Sequence, residues 1–234
     1  MYTIDNDVID KGAKASLNKK KFWKYGYNDK HDIVIISKDG TIGDIYVING
    51  LKIALPETPV TVDDRGDRWV PEKLPSELLG VKSMHDWNRR DNIFKSMWVD
   101  YIETEFDRRD NGYWFMNNGK PTYVTGSHYM YLQWTKIDVG LPDFRESNRI
   151  FFIFWEACKA DHRCFGMCYL KNRRSGFSFM ASSEAVNTGT IVKNSRVGIL
   201  SKTGDDAKKM FVNKVVPIVS NYPFFFKPVQ DGMD

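Results

Sequence analysis

Residues 165–178 read Phe165-Gly-Met-Cys-Tyr-Leu-Lys-Asn-Arg-Arg-Ser-Gly-Phe-Ser178. The apolar run 165–170 predicts a strand, the basic residues after it predict a loop, and 177–186 predicts a helix. A second apolar strand is predicted over 196–201 and a second helix over 205–220. This alternation is typical of a parallel sheet with flanking helices, so we predict an α/β fold for this part of the chain.

The N-terminal region predicts a small β unit between two polar segments. After a polar leader, the apolar run 33–37 predicts a strand, and 44–55 predicts one or two further strands broken at an Asn-Gly turn. Residues 56–75 are rich in Pro, Asp and Gly and are typical of a connector. We therefore predict an N-terminal arm, β unit and linker over 1–83, and a second domain over 84–234.

Two helices and a hairpin are predicted between this region and the basic loop. Apolar residues at helical spacing predict a long helix over 84–109. An Asn-Gly turn within 113–124 predicts a hairpin, and 147–161 predicts another helix.

The composition is that of a globular protein. The chain has 234 residues, 42% hydrophobic and 27% charged, with a net charge of +4. It contains no run approaching the roughly 18 apolar residues of a transmembrane helix. The charge alone does not indicate a nucleic-acid-binding protein, although the arm at Lys19–Lys21 is followed by aromatic residues and is a candidate DNA contact.

Residues 171–178 partly match the P-loop pattern G-x-x-x-x-G-K-[ST], which lies between a strand and a helix. Gly176 takes the second glycine position and Ser178 the hydroxyl position. Two positions depart from the pattern, because Lys171 stands at the first glycine position and Phe177 at the lysine position. The basic residue has therefore moved to the front of the loop.

A loop with its lysine at the front can still bind phosphate. A triphosphate needs a cation, backbone N–H donors at a helix N-terminus and a hydroxyl for Mg²⁺. Lys171 would supply the cation and Ser178 the hydroxyl, while Arg173 and Arg174 add charge. A basic, solvated turn is the alternative interpretation. The predicted nucleotide site comprises Lys171, Asn172, Arg173, Arg174, Ser175, Gly176, Phe177 and Ser178.

The pattern Lys171-x-x-Arg-x-Gly-Phe-Ser178 resembles the deviant Walker A loop of large terminase subunits of tailed bacteriophages, notably the lambdoid type. In that family the lysine also stands at the front of the loop. Two other stretches, Tyr123–Leu132 and Gly204–Pro223, are similar to segments before and after this loop in terminases. The three stretches follow the family's order, and the resemblance covers residues 90–228.

The resemblance implies a RecA-like P-loop ATPase core, only part of which this chain would contain, preceded by the small β-containing region. It implies an ATP-driven motor that translocates viral DNA into procapsids. In that motor Lys171 would contact the β- and γ-phosphates, Arg174 would be a catalytic arginine, and Ser178 would ligate Mg²⁺. The implied partners are double-stranded DNA, the portal protein, the small terminase subunit and further copies in a ring. The implied location is the cytoplasm of the infected host, without membrane association or secretion.

A contact to the adenine is expected upstream of the loop, where the family has a glutamine motif. No clear glutamine motif stands there. Asn148 and Arg149 lie at a suitable distance along the chain, and Tyr129 and Gln133 are alternatives. Tyr129 is also typical of an ordinary core aromatic residue.

Two catalytic parts of the family are not found in the sequence. A Walker B strand, with four apolar residues followed by Asp and Glu, is expected after Ser220, and no such run follows. The carboxylates of a two-metal nuclease cannot be assigned either. We therefore expect the N-terminal portion of a terminase, from a truncated, split or partial gene, which by itself hydrolyses ATP poorly.

Two alternatives stay open. The first is a non-catalytic module that binds DNA or a capsid protein through the basic loop and Lys19–Lys21. The second is another P-loop NTPase such as a helicase, which the stretch Gly204–Pro223 argues against.

Overall fold

A computed structural model describes residues 23–228 as a mixed α/β chain. The arm at Lys19–Lys21, a candidate DNA contact, lies outside the described residues. The strands are β1 Gly26–Asn28, β2 Ile33–Ile35, β3 Ile45–Ile48, β4 Leu51–Ala54, β5 Tyr113–Asn117 and β6 Lys120–Val124. The helices are α1 Ser76–Leu79, α2 Met84–Asn88, α3 Asn92–Asn111, α4 Gly126–Trp134, α5 Glu146–Ala160, α6 Phe177–Ile191, α7 Gly204–Met210 and α8 Val216–Asn221, with a π-helical turn Phe211–Val215 and a 3₁₀ turn Phe224–Phe226.

The chain divides into two compact units, each built from three segments. The first unit comprises the described part of Met1–Trp69 together with Asn111–His128 and Phe144–Leu170. The second unit comprises Val70–Asp110, Tyr129–Asp143 and the described part of Lys171–Asp234. The division predicted between residues 83 and 84 stays a prediction.

A four-stranded mixed sheet forms the centre of the first unit. The strand order is β1-β2-β4-β3, with β2 and β4 parallel and the outer pairs antiparallel. Alternate residues point to opposite faces, so Val34 and Ile53 share a buried cluster with Ile153 of α5. Ile33 and Ile45 belong to a second buried cluster. Burying each such side chain stabilises the fold by about 1.5–3 kcal/mol.

The two predicted Asn-Gly turns are confirmed. Asn49 and Gly50 join β3 to β4 with φ values of 50° and 79°, and Asn118 and Gly119 join β5 to β6 with 50° and 71°. Two consecutive residues with positive φ make the turn whose twist matches that of the flanking strands. The second turn is also held by Asp67, which accepts hydrogen bonds from both turn amides at 3.1 Å and 2.5 Å.

Aromatic rings fill the interior of the second unit. The buried turn Phe224–Phe226 packs against rings from three helices. Trp87 of α2 stacks on Phe224 with ring centroids 5.4 Å apart, and Phe106 of α3 meets Phe226 at 5.0 Å. Such pairs add about 0.5–1.5 kcal/mol each beyond the area they bury.

The helix predicted over 84–109 is two helices in the structure. α2 ends at Asn88, and α3 begins at Asn92. The Asp91 carboxylate accepts a hydrogen bond from the Phe94 amide at 2.7 Å and so caps the start of α3. An aspartate at this position favours a helix start over continuation of the preceding helix, which explains the break.

The strands predicted over 165–170 and 196–201 are not present in the structure. Neither segment has regular secondary structure, and the Phe165 and Leu200 side chains are 101% and 99% exposed. A strand is stable only when its backbone pairs with a neighbour, and among residues 23–228 neither segment has such a pairing. The predicted parallel sheet with flanking helices is therefore replaced by the small mixed sheet of the first unit.

The helices flanking these segments agree with the sequence. α5, Glu146–Ala160, begins and ends one residue before the helix predicted over 147–161, and α6 begins at the predicted Phe177 and runs five residues past 186, to Ile191. The helix predicted over 205–220 is present as α7, the π-helical turn and α8. Within residues 23–228, none of the helices combines the length and hydropathy that crossing a membrane requires.

Candidate functional site

The basic loop leads directly into α6 through two residues with left-handed backbone conformation. Arg174 has φ 68° and Gly176 has φ 78°. Gly176 is the N-cap of α6, and its carbonyl accepts hydrogen bonds from the amides of Phe179 and Met180 at 2.9 Å and 3.3 Å. Gly176 has no side chain, so the N-cap residue itself makes no capping hydrogen bond to the first turn. The amide N–H groups of the first turn and the helix dipole therefore favour an anion here.

The glycine is required for its conformation and not for space. A Cβ atom on Gly176 would lie 3.9 Å from the Tyr131 hydroxyl, which is an ordinary contact. A left-handed conformation costs a non-glycine residue about 1–2 kcal/mol. This distance also places the buried Tyr131 beside the loop.

Three cations of the loop are available to a ligand. The side chains of Lys171, Arg173 and Arg174 are exposed, as is Asn172. None of the three cations makes a hydrogen bond, ion pair or ring contact with a residue in the range 23–228. Arg108, in contrast, pairs with Glu105 at 2.9 Å and is held within the fold. The loop thus concentrates positive charge that internal carboxylates do not neutralise.

The hydroxyls of the loop differ in their surroundings. Ser175, Phe177 and Ser178 are half-buried. The Ser175 Oγ is shielded from solvent and has no hydrogen-bond partner between residues 23 and 228. Buried hydroxyls are usually hydrogen-bonded, so this atom is a candidate donor to a bound group. Ser178, in the first turn of α6, is at the place where P-loops present a hydroxyl to Mg²⁺.

Magnesium at a P-loop does not need a preformed cluster of protein ligands, because phosphate oxygens and water fill most of its coordination positions. The described part of the chain contains no group of three or more His, Cys, Asp or Glu residues that could hold a metal ion by themselves. One hydroxyl from Ser178 beside a bound triphosphate fits the donor set that Mg²⁺ takes at such a loop.

Two of the predicted adenine contacts, Tyr129 and Gln133, belong to a buried polar network of the second unit. The Tyr129 hydroxyl lies 2.8 Å from both carboxylate oxygens of Glu105 and donates its one hydrogen to this carboxylate. The Gln133 amide accepts from the Glu72 N–H at 3.0 Å and donates to the Glu72 carbonyl at 2.7 Å. Burial raises the pKa of the Glu105 carboxyl, while the Tyr129 and Trp134 donors and the Arg108 charge oppose that rise. Both side chains are therefore structural, and an additional role with adenine stays a prediction.

The other two adenine candidates, Asn148 and Arg149, belong to the first unit. Both are buried, at 8% and 4% exposure. Arg149 forms a bidentate ion pair with Glu146, from Nε to Oε2 at 2.9 Å and from Nη2 to Oε1 at 2.5 Å, and its guanidinium lies 5.2 Å from the ring centroid of Tyr46. The hydrogen bonds to Glu146 raise the pKa of Arg149 against the effect of burial, so the guanidinium stays charged. Their role with adenine also stays a prediction.

The sequence analysis missed one residue beside the loop. Lys214, in the π-helical turn Phe211–Val215, places its ammonium nitrogen 3.5 Å from the ring centroid of Phe179 in the first turn of α6. Pro217 could have indicated this turn, since a proline inside a helical pattern indicates a local change of helix geometry.

Comparison of the chain with protein-family models, with curated proteins and with solved structures finds no match.

Proposed function

We propose that this chain is a nucleotide-binding part of a viral DNA-packaging motor of the large-terminase type. One observation carries the proposal: a helix N-terminus whose N-cap residue is the left-handed Gly176 follows a loop whose three cations have no partner among residues 23–228. Nucleoside triphosphate with Mg²⁺ matches this arrangement in charge and in donor type. The resemblance to the terminase loop supports the same conclusion from the sequence.

Each residue of the loop has a distinct task in this proposal. Lys171 and the first-turn amides of α6 bind the β- and γ-phosphates, and Ser178 ligates Mg²⁺. Arg174 contacts the γ-phosphate, where a guanidinium stabilises the charge that develops during phosphoryl transfer. The nucleotide supplies the phosphoryl group whose transfer drives DNA translocation.

The proposal extends to the fold and the partners of the complete motor. We propose a RecA-like P-loop core as the fold of the motor to which this loop belongs. Double-stranded DNA, the portal protein, the small terminase subunit and further copies in a ring would be the partners, in the cytoplasm of the infected host. These statements rest on the resemblance and on the loop.

Nucleotide titration with two lysine variants tests the proposal. We expect the wild-type chain to bind ATP in a Mg²⁺-dependent manner by isothermal titration calorimetry. Lys171→Ala should weaken binding at least tenfold, because a charge-assisted contact to phosphate contributes about 1.5–3 kcal/mol. Lys193→Ala is the matched control, since it removes the same charge from an exposed position after the other end of α6. The proposal is wrong if ATP does not bind, or if binding is indifferent to Lys171.

A non-catalytic DNA-binding module is the second candidate, since the same three cations would also contact a phosphate backbone. Such a module would bind DNA with a steep dependence on salt and would be indifferent to ATP and Mg²⁺. The titration above, repeated with a duplex oligonucleotide at several salt concentrations, separates the two candidates.

A further inference from the structure

Lys214 is held next to the basic loop by an aromatic ring and not by a carboxylate. Its ammonium nitrogen lies 3.5 Å from the ring centroid of Phe179, well within the roughly 6 Å over which a cation is attracted to a ring face. Lys214 is half-buried and forms no ion pair with any residue from 23 to 228. A neutral ring does not compensate the positive charge of the ammonium, so this charge can attract an anion that comes close.

The position of Phe179 places this ammonium near the loop. Phe179 lies three residues after Gly176, and its amide donates to the Gly176 carbonyl at 2.9 Å. Side chains of a helix lean towards its N-terminus, so the Phe179 ring covers the turn before its own Cα. The Lys214 ammonium on that ring therefore lies beside the first turn of α6. This turn directly follows the loop that carries Lys171, Arg173 and Arg174.

A local change of helix geometry presents Lys214 in this position. In the turn Phe211–Val215 the Val216 amide donates to the Phe211 carbonyl, five residues back. Pro217 has no amide hydrogen, and its ring would clash with the carbonyl four residues earlier in an α-helix. The wider π-helical turn removes that clash, and such turns are frequent at functional sites.

We propose that Lys214 is a specificity-determining residue that favours nucleotides with a longer phosphate chain; this inference rests on the proposed nucleotide site. The ammonium interacts with the distal phosphates, whose negative charge is greatest in a triphosphate and least in a monophosphate. Coulombic attraction grows with the charge of the ligand, so Lys214 strengthens the binding of ATP more than that of ADP, and that of ADP more than that of AMP. The Phe179 ring positions the ammonium before the ligand binds.

The test measures the affinities of ATP, ADP and AMP for four proteins: the wild type and the variants Lys214→Gln, Lys214→Arg and Lys209→Gln. We expect Lys214→Gln to weaken the binding of ATP about tenfold, that of ADP less and that of AMP least. Lys214→Arg should retain the wild-type order of the three affinities, since arginine keeps the charge and also binds over an aromatic ring. Lys209→Gln is the matched control at an exposed position of α7 and should leave all three affinities unchanged.

The possible outcomes separate this inference from the proposed function. If wild-type protein binds no ATP, or if Lys171→Ala binds ATP normally, the nucleotide site is wrong and the inference falls with it. If Lys171→Ala loses ATP while Lys214→Gln leaves the three affinities unchanged, only the inference is overturned. A uniform loss of all three affinities, accompanied by a lower temperature of thermal unfolding, also overturns it, because that pattern indicates a structural role.

Discussion

His128 is a titratable residue of the first unit that is completely removed from water. Its side chain is 0% exposed, and its ring stacks on Phe152 with centroids 4.8 Å apart and on Phe144 at 5.9 Å. Burial and, as a smaller effect, the positive charge of Arg149 together lower the pKa of the imidazole to about 3. The native state therefore holds this histidine neutral.

This burial predicts that the protein loses stability in mildly acidic solution. Below about pH 6.5 the unfolded chain binds a proton at His128 that the native state does not bind, so the free energy of unfolding falls by about 1.4 kcal/mol per pH unit. The contribution is fully present above about pH 6.5 and is lost progressively towards pH 3. Urea denaturation at several pH values measures this slope.

A pair of histidine variants isolates this contribution. His128→Gln removes the titration and should flatten the dependence of stability on pH, even though the variant is less stable overall. His85→Gln removes an exposed histidine and should leave the slope unchanged. An equal slope in wild type and His128→Gln would contradict the assignment.

At the scale of elements, α3 is tied to its surroundings by one buried carboxylate. Glu105 is 0% exposed and accepts hydrogen bonds from Tyr129 at 2.8 Å and from Trp134 at 2.9 Å. Arg108, one turn later on α3, pairs with Glu105 at 2.9 Å and with Glu72 at 3.0 Å. A buried charge is tolerated only when its partners satisfy it, so these contacts depend on one another.

Tyr129→Phe should therefore destabilise the protein by about 1.5–3 kcal/mol, because it removes a hydrogen bond to a buried charged group without creating a large cavity. The midpoint of urea denaturation measures the loss. Tyr27→Phe removes the hydrogen bond to Asp32 at 2.7 Å in an exposed setting and should cost less. A Tyr129→Phe protein as stable as wild type would show that Glu105 is satisfied without the tyrosine.

Local signals predicted the elements that local chemistry stabilises. The two turns require positive φ at consecutive residues, and the Asn-Gly pair in the sequence indicates this because both residues adopt positive φ readily. The break between α2 and α3 also has a local cause in Asp91, but the long run of apolar residues at helical spacing concealed it. The cluster around Glu105 could not be predicted, because its members are distant in sequence and meet only when α3 and α4 are placed.

At the scale of the whole molecule, apolar surface remains exposed. Within the second unit a groove of about 700 Å³ is lined mainly by apolar side chains, among them Val186, Ile199 and Val219. Leu200, next to Ile199, is 99% exposed. Large apolar surfaces of this kind promote association with other molecules.

Leu200→Lys should lower self-association at high protein concentration, measured by sedimentation velocity. It should change the free energy of unfolding by less than about 0.5 kcal/mol, because a fully exposed side chain contributes little to the native core. Ser201→Lys is the matched control, since it adds the same charge at the adjacent exposed polar position. If both variants associate as wild type does, the exposed leucine is not the cause.

The sequence by itself determined the turns, most helices and the residue types of the basic loop, because these depend on neighbours within a few positions. The tertiary structure alone decided that the apolar segments 165–170 and 196–201 are not strands, since a strand depends on a partner that sequence patterns do not supply. It also decided that Glu105, Tyr129 and Gln133 form an internal network, and that Lys214 lies on the ring of Phe179. Contacts between distant residues exist only once the chain has packed, and no local pattern encodes them.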